Sequence, residues 1–174
     1  MAHGYISTTS CACWDVDSFN RCGIYASGNL DNGVFVVCGQ PSVDDDDNIT
    51  GYEFPVTLPA ANAEHLWVIN TPEVGYTFDQ QLLADPREFY NKAKSGMSIK
   101  YLLPHVDCIE VNAEAFASAA LPTTEGYVSV NTSGKLVAAG SAPNAGTYFS
   151  VLGFKDVAVG SDMMPVVVLQ CERN

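Results

Sequence analysis

The sequence predicts a mainly β protein: a small barrel or sandwich of hairpins, with one short helix and an extended N-terminal arm. Three observations carry this expectation. From Ile99 to Cys171, short apolar runs (IKYLL, CIEVNA, GYVSV, KLVAA, TYFSVLGF, DVAV, PVVVLQC) alternate with clusters of Gly, Asn, Ser and Asp, the rhythm of neighbouring hairpins. Two earlier runs, VFVVC and HLWVIN, are rich in β-branched and aromatic residues, which suit a pleated, buried surface. Only one stretch, Asp85–Gly96, combines helix start and stop signals. A chain of 174 residues buries about 70% of its unfolded surface and needs no metal or disulfide to fold. The expected division is an arm or irregular segment at 1–22 and a single β-rich domain at 23–174, its barrel-like part at about 99–172.

In chain order, residues 1–22 show no sustained period: Tyr5, Ile6, Trp14, Val16 and Phe19 are scattered among polar and small residues. Such a segment packs either as an arm on a neighbouring surface or as an irregular start tucked on its own core. The turn GNLDNG at 28–33 leads into the strand VFVVC at 34–38. Residues 39–64 read as a long loop with a short strand near Tyr52–Leu58, and HLWVIN, 65–70, is a second strand ended by Thr71-Pro72. In the helix that follows, Asp85 caps, Pro86 takes the first position and Glu88 completes a capping box. Phe89 and Ala93 share a face, and Gly96 closes about ten residues. This helix would plug one end of the β core or cover an edge.

The closing rhythm is plainer. Val128 and Val130 alternate with Tyr127 and Ser129, and NTSG at 131–134 is hairpin-turn chemistry. In TYFSVLGF, Tyr148, Ser150 and Leu152 face one way, and Phe149, Val151 and Gly153 the other. VGSD is the next turn, and PVVVLQC is a buried closing strand with Pro165 at its permitted first position.

Charge narrows the function classes. The net charge is −12. Residues 1–86 hold twelve acids and one base, Arg21; residues 87–100 hold Arg87, Lys92, Lys94 and Lys100 against Glu88. A polyanion is repelled by most of this surface, so no nucleic-acid partner is expected. No run approaches 18 apolar residues, so no membrane span is expected. The start MAHGYISTTS has neither a basic nor an apolar signal region, and Ala2 excludes myristoylation, so synthesis in the cytoplasm is expected.

Tests for chemistry find little. Six cysteines stand at 11, 13, 22, 38, 108 and 171, in a chain read as folding under reducing conditions. Cys11 and Cys13 are too close for a zinc knuckle, which needs two to four intervening residues. Unreactive thiols are the favoured reading, with a structural metal on the N-terminal four left open. Asp44, Asp46 and Asn48 fit the first ligands of a calcium loop, but Ile49 and Pro55 stand where Gly and Glu are required. A solvated loop tip is the simpler reading, and a surface cation of another kind stays open. His3, His65 and His105 are dispersed, and Cys108 with His105 forms no known nucleophile pair. No phosphate-binding, nucleotide-binding, zincin or nucleophile-elbow motif occurs. No enzyme and no cofactor are expected.

One resemblance rests on Leu66–Asn112. Thr71-Pro72-Glu73, then Arg87-Glu88-Phe89-Tyr90-Asn91 with Lys94, then Val106-Asp107-Cys108-Ile109-Glu110-Val111 resemble successive elements of the head decoration or capsid auxiliary (cement) proteins of tailed bacteriophages. The closing pattern GYVSV, GKLVAA, YFSVLG and MPVVVLQC is similar to theirs too. The likeness spans roughly 60–172. Val106 departs from the Gly often found before Asp107, and the cysteine-rich start is foreign to the group. The resemblance implies a virion structural protein on the capsid exterior, made in the host cytoplasm. Its partner would be the major capsid protein, with further copies of itself as a second option. The expected contacts are Tyr5, Ile6, Trp14 and Phe19 of the arm, plus an exposed strand edge. Two alternatives stay open: another virion component such as a tail or fibre base, and a host-surface or glycan-binding module using Tyr127, Tyr148 and Trp14.

Overall fold

The computed structural model describes residues 2–14, 16–43, 46, 49, 51–72, 85–159 and 162–174. The calcium-like loop residues Asp44, Asp45, Asp47 and Asn48, together with Glu73, lie outside them. The described strands are β1 (Ile6–Ser10), β2 (Asn20–Ile24), β3 (Phe35–Cys38), β4 (Glu53–Thr57), β5 (Trp67–Ile69) and β6 (Gly96–Tyr101). They continue as β7 (Cys108–Val111), β8 (Tyr127–Val130), β9 (Leu136–Ala139), β10 (Tyr148–Val159) and β11 (Asp162–Arg173). The protein is mainly β, as expected.

Five strands close a barrel in the order β2-β4-β3-β5-β6. An odd number of strands cannot alternate in direction all the way round, so one neighbouring pair must be parallel. That pair is β2 and β4. Leu30, Val34, Val36, Val56, Trp67, Ile69, Met97 and Ile99 fill the interior. Gly23 is a matter of space here: a Cβ on it would meet side-chain carbons of Ile99 and Val56 at 3.0 Å. The remaining strands form a sheet in the order β1-β7-β11-β10-β8-β9.

The barrel is therefore made from residues 20–101, and the region expected to be barrel-like, 99–172, is mostly the sheet. The reason lies in weak strands. NRCGI has little β pattern of its own, and β2 is defined by pairing with β6 on one side and β4 on the other; EFPVT is the short strand expected near Tyr52–Leu58, but nothing local names its partners. Within the first 22 residues, β1 alternates Ile6 and Thr8 inward with Ser7 and Thr9 outward. A buried Thr8, whose hydroxyl accepts from Asn70 Nδ2 at 2.7 Å, hides that alternation from a reading based on apolar residues.

Barrel and sheet share one core. Phe35, Leu66, Val68 and Leu102 pack with Ile109, Val111, Phe116, Leu136, Phe149, Val167 and Leu169. β3 and β5 are thus covered on both faces, which explains why VFVVC and HLWVIN read as continuous apolar runs.

The expected helix is absent and stands corrected. Asp85 does cap, its Oδ1 accepting from Arg87 N at 2.8 Å, but only a 3₁₀ turn over Pro86–Glu88 forms. Phe89 is already extended. Two residues later, Asn91 exchanges backbone hydrogen bonds with Leu30 at 2.7 and 2.9 Å, and its buried amide donates to Leu30 O and Asn32 Oδ1. A helix of about ten residues is marginal in water, so these tertiary bonds win. No α-helix occurs among the described residues.

Candidate interaction surfaces

Of the two readings open for the N-terminal segment, the structure shows the tucked one. Asn112 binds it twice, accepting from Tyr5 N at 2.9 Å and donating to His3 O at 3.1 Å. β1 pairs with β7, and Cys11 Sγ donates to Cys108 O at 3.0 Å. Asp107, fully buried, accepts from Ala12 N and from Leu103 N, both at 2.7 Å. That carboxylate ties the segment to the turn before β7.

The four expected contact residues separate accordingly. Ile6 is 5% exposed and belongs to the core, so it is withdrawn as a contact: a buried side chain has no surface to offer. Phe19 is half-buried against the same core and lies 6.5 Å from the Tyr101 ring. Tyr5 is half-buried, and burial, followed by the Glu110 charge, pushes its phenol above the usual range. Trp14 alone is open, 58% exposed, with Lys100 Nζ 5.7 Å from its ring and Val16 exposed nearby in sequence.

A further exposed apolar surface lies on the hairpin of β10 and β11. These strands pair from Tyr148–Arg173 out to Val159–Asp162. β8 pairs only with Tyr148–Ser150, and β7 only with Val167–Gln170. The outer half is therefore a two-stranded ribbon with no strand beside either edge among the described residues. A register shift between Val151 and Gly153 sets Phe154 opposite Val167. This bulge carries Phe154 to the face that Phe149 and Val151 use in the core. Beyond the core that face is uncovered: Phe154 and Met163 are 48% and 62% exposed, Ala158 and Pro165 are exposed with them, and Asp156, opposite Pro165, sets one charge among them, while Leu152, 52% exposed, stands at the bulge. The opposite face buries Met164 and Val166 and ends in an Asp162–Arg87 ion pair at 3.3 Å. The alternation read from TYFSVLGF holds up to the bulge and then fails; Gly153, a glycine inside a strand run, is the one local sign of the extra residue.

The tyrosines of the glycan-binding alternative cover one another. Tyr127 and Tyr148 meet edge to face at 6.0 Å, and the Arg173 guanidinium sits 4.8 Å over Tyr148.

All six cysteines are free thiols. A hydrogen bond with Cys13 and then burial hold Cys11 protonated. Burial, with Asp107 and Glu172 behind it, raises Cys108 and pushes Cys171 up to about 12. His105 Nδ1 is paired with Glu172 Oε2 at 3.1 Å, and His65 Nδ1 with the Tyr101 hydroxyl at 3.0 Å. Among the described residues no group of three or more His, Cys, Asp or Glu is placed to hold a metal ion, and no helix is long and apolar enough to cross a membrane.

A scan against protein-family models and searches of curated proteins and of solved structures return no match for this chain.

Proposed function

We propose that this chain is a virion structural protein that binds the outer surface of a phage capsid, through the major capsid protein, and stabilises the expanded shell. The observation that supports this most is the overhanging β10–β11 ribbon, with Phe154 and Met163 exposed on one face, Leu152 exposed at the bulge, and no strand beside either edge among the described residues. A contiguous exposed apolar patch marks a contact site, and an unpaired strand edge accepts another strand through main-chain hydrogen bonds. The resemblance of residues 60–172 to decoration proteins points the same way. The mechanism is mass action: binding the expanded lattice but not its precursor favours the expanded form, and many copies multiply a modest contact energy.

The test is co-sedimentation with undecorated expanded capsids, which should saturate at a fixed stoichiometry. Phe154→Asp combined with Met163→Asp buries two charges in the contact and should weaken binding by at least about thirty-fold, on the scale of central apolar contacts. Both side chains are surface-exposed, so stability should change by under about 1 kcal/mol. Trp14→Ala tests the N-terminal patch; deleting residues 1–20 would remove β1 and the buried Cys13, and would test folding instead. Wild-type protein that stays in the supernatant at every capsid concentration ends this reading.

A further inference from the structure

The outer half of the β10–β11 ribbon has two edges, and they are chemically different. Alternate residues of a strand turn their N–H and C=O to opposite sides, so the register fixes what each edge presents. On β11, Cys171 N donates to Asp107 O at 2.9 Å, and the odd-numbered residues of the strand face β7. Continued past Val167, this alternation puts Pro165 and Met163 on the outer edge, where Pro165 has no N–H to give. On β10, Val151 N donates to Gly126 O at 2.9 Å, so Val151 faces β8. The bulge shifts the count by one. Phe154, Asp156 and Ala158, opposite Val167, Pro165 and Met163, therefore turn their backbone groups away from β11. They form a run without a proline, in line with β8 and beyond its last pair, Tyr127 with Ser150. Proline blunts a sheet edge against further pairing; β11 carries one in its outer half and β10 does not.

The same three residues share the exposed apolar face with Met163 and Pro165, and Asp156 is its one charge. All eight Lys and Arg and all three His of the chain are among the described residues, and none forms an ion pair with Asp156. A strand laid along β10 sets one side chain beside each of Phe154, Asp156 and Ala158. A base beside Asp156 completes the charge, and apolar residues two positions before and after it meet Phe154 and Ala158. We propose that the capsid-protein segment recognised here is an extended strand that adds to β10 at residues 154–158, with a basic residue beside Asp156 and an apolar one beside Phe154. This rests on the capsid-binding reading and names the edge and the partner's chemistry within it.

Ala158→Pro removes an outward N–H and leaves the β10–β11 ladder intact, whereas Ala158→Ser keeps that N–H. In co-sedimentation with undecorated expanded capsids, Ala158→Pro should bind at least about ten-fold more weakly than wild type, the value of a lost main-chain bond with the ring's bulk added. Ala158→Ser should bind as wild type does. Asp156→Lys sets like charges side by side and should weaken binding at least about five-fold. If Ala158→Pro does not fold, judged by circular dichroism, hydrogen exchange of the wild type decides. In the free protein the Asp156 and Ala158 amides should exchange faster than those of Lys155 and Val157, which pair with β11, and on capsids they should slow. Slow exchange at Asp156 and Ala158 in the free protein shows an edge already covered and overturns the proposal. Unchanged affinity in folded Ala158→Pro or in Asp156→Lys overturns it too, and leaves capsid attachment itself standing. Wild-type protein that never sediments with capsids removes both.

Discussion

Asn174 holds the end of β11 against the barrel. Its Oδ1 accepts from Leu66 N at 2.8 Å and Thr147 Oγ1 at 3.1 Å, while its Nδ2 donates to Leu66 O and Leu102 O at 2.9 and 3.0 Å. Every bond the buried amide makes joins the residue after β11 to a distant part of the chain, and truncation would leave buried backbone groups unpaired. Asn174→Ala should therefore cost about 3 kcal/mol, at about 1 kcal/mol or more per lost buried bond, read as a lowered urea midpoint at unchanged slope. The thiols and phenols that the fold holds protonated set the alkaline limit. Cys11, Cys108, Cys171, Tyr5 and Tyr101 are all raised in the folded state, most of them chiefly by burial. A raised folded value means the stability is intact below the unfolded value and is lost as pH climbs toward the folded one. For Cys171 that window runs from about 9 to about 12, at up to about 1.4 kcal/mol per pH unit. Urea melts under reducing conditions should show stability falling steeply above pH 9, and Cys171→Ala should flatten that fall. Neither Asn174 nor Asp107 announces its role in the sequence, because their partners lie far along the chain and leave no local pattern.

At the scale of elements, turn chemistry was legible and tertiary competition was not. NTSG forms the β8–β9 turn as its composition requires, with Asn131 Oδ1 accepting from Ser133 N at 2.9 Å and Lys135 N at 3.0 Å. The turn also docks on the barrel: Phe35 N donates to Gly134 O at 2.8 Å. Gly134 has φ +74°, and a Cβ there would collide with the Phe35 carbonyl. Gly134→Ala should thus cost about 2–4 kcal/mol, the left-handed backbone adding about 1 kcal/mol to the collision. Gly140→Ala, where a Cβ meets nothing within 4 Å, is the near-neutral control in the same denaturation series. Asp85-Pro86-x-Glu88 shows the opposite case: local signals started a helix, and the Leu30–Asn91 pairing stopped it after one turn.

Across the whole molecule, the mainly β class was readable because hydrophobic alternation survives in most strands, while the barrel's position was not. Closure depends on β2, whose short sequence gains meaning only beside β6 and β4, and on the parallel partner that β4, itself legible as a strand, finds in it. The overhanging ribbon was hidden for a similar reason: β10 and β11 look like buried strands until the neighbours that stop short of them are known. The same arrangement fixes how the protein should unfold. Phe35 and Val68 pack outward onto the sheet core while Val36, Trp67 and Ile69 fill the barrel, so neither half keeps its apolar surface covered without the other. Asn174 and the Gly134 turn add polar ties across the same seam. Barrel and sheet should accordingly unfold in one step: in a Trp14→Phe background, Trp67 fluorescence, reporting the barrel, and far-ultraviolet circular dichroism, to which the longer sheet strands contribute most, should trace coincident urea transitions. Asn174→Ala should move both curves together. Separation of the two midpoints in that background, with or without Asn174→Ala, would show that the shared core does not couple the halves.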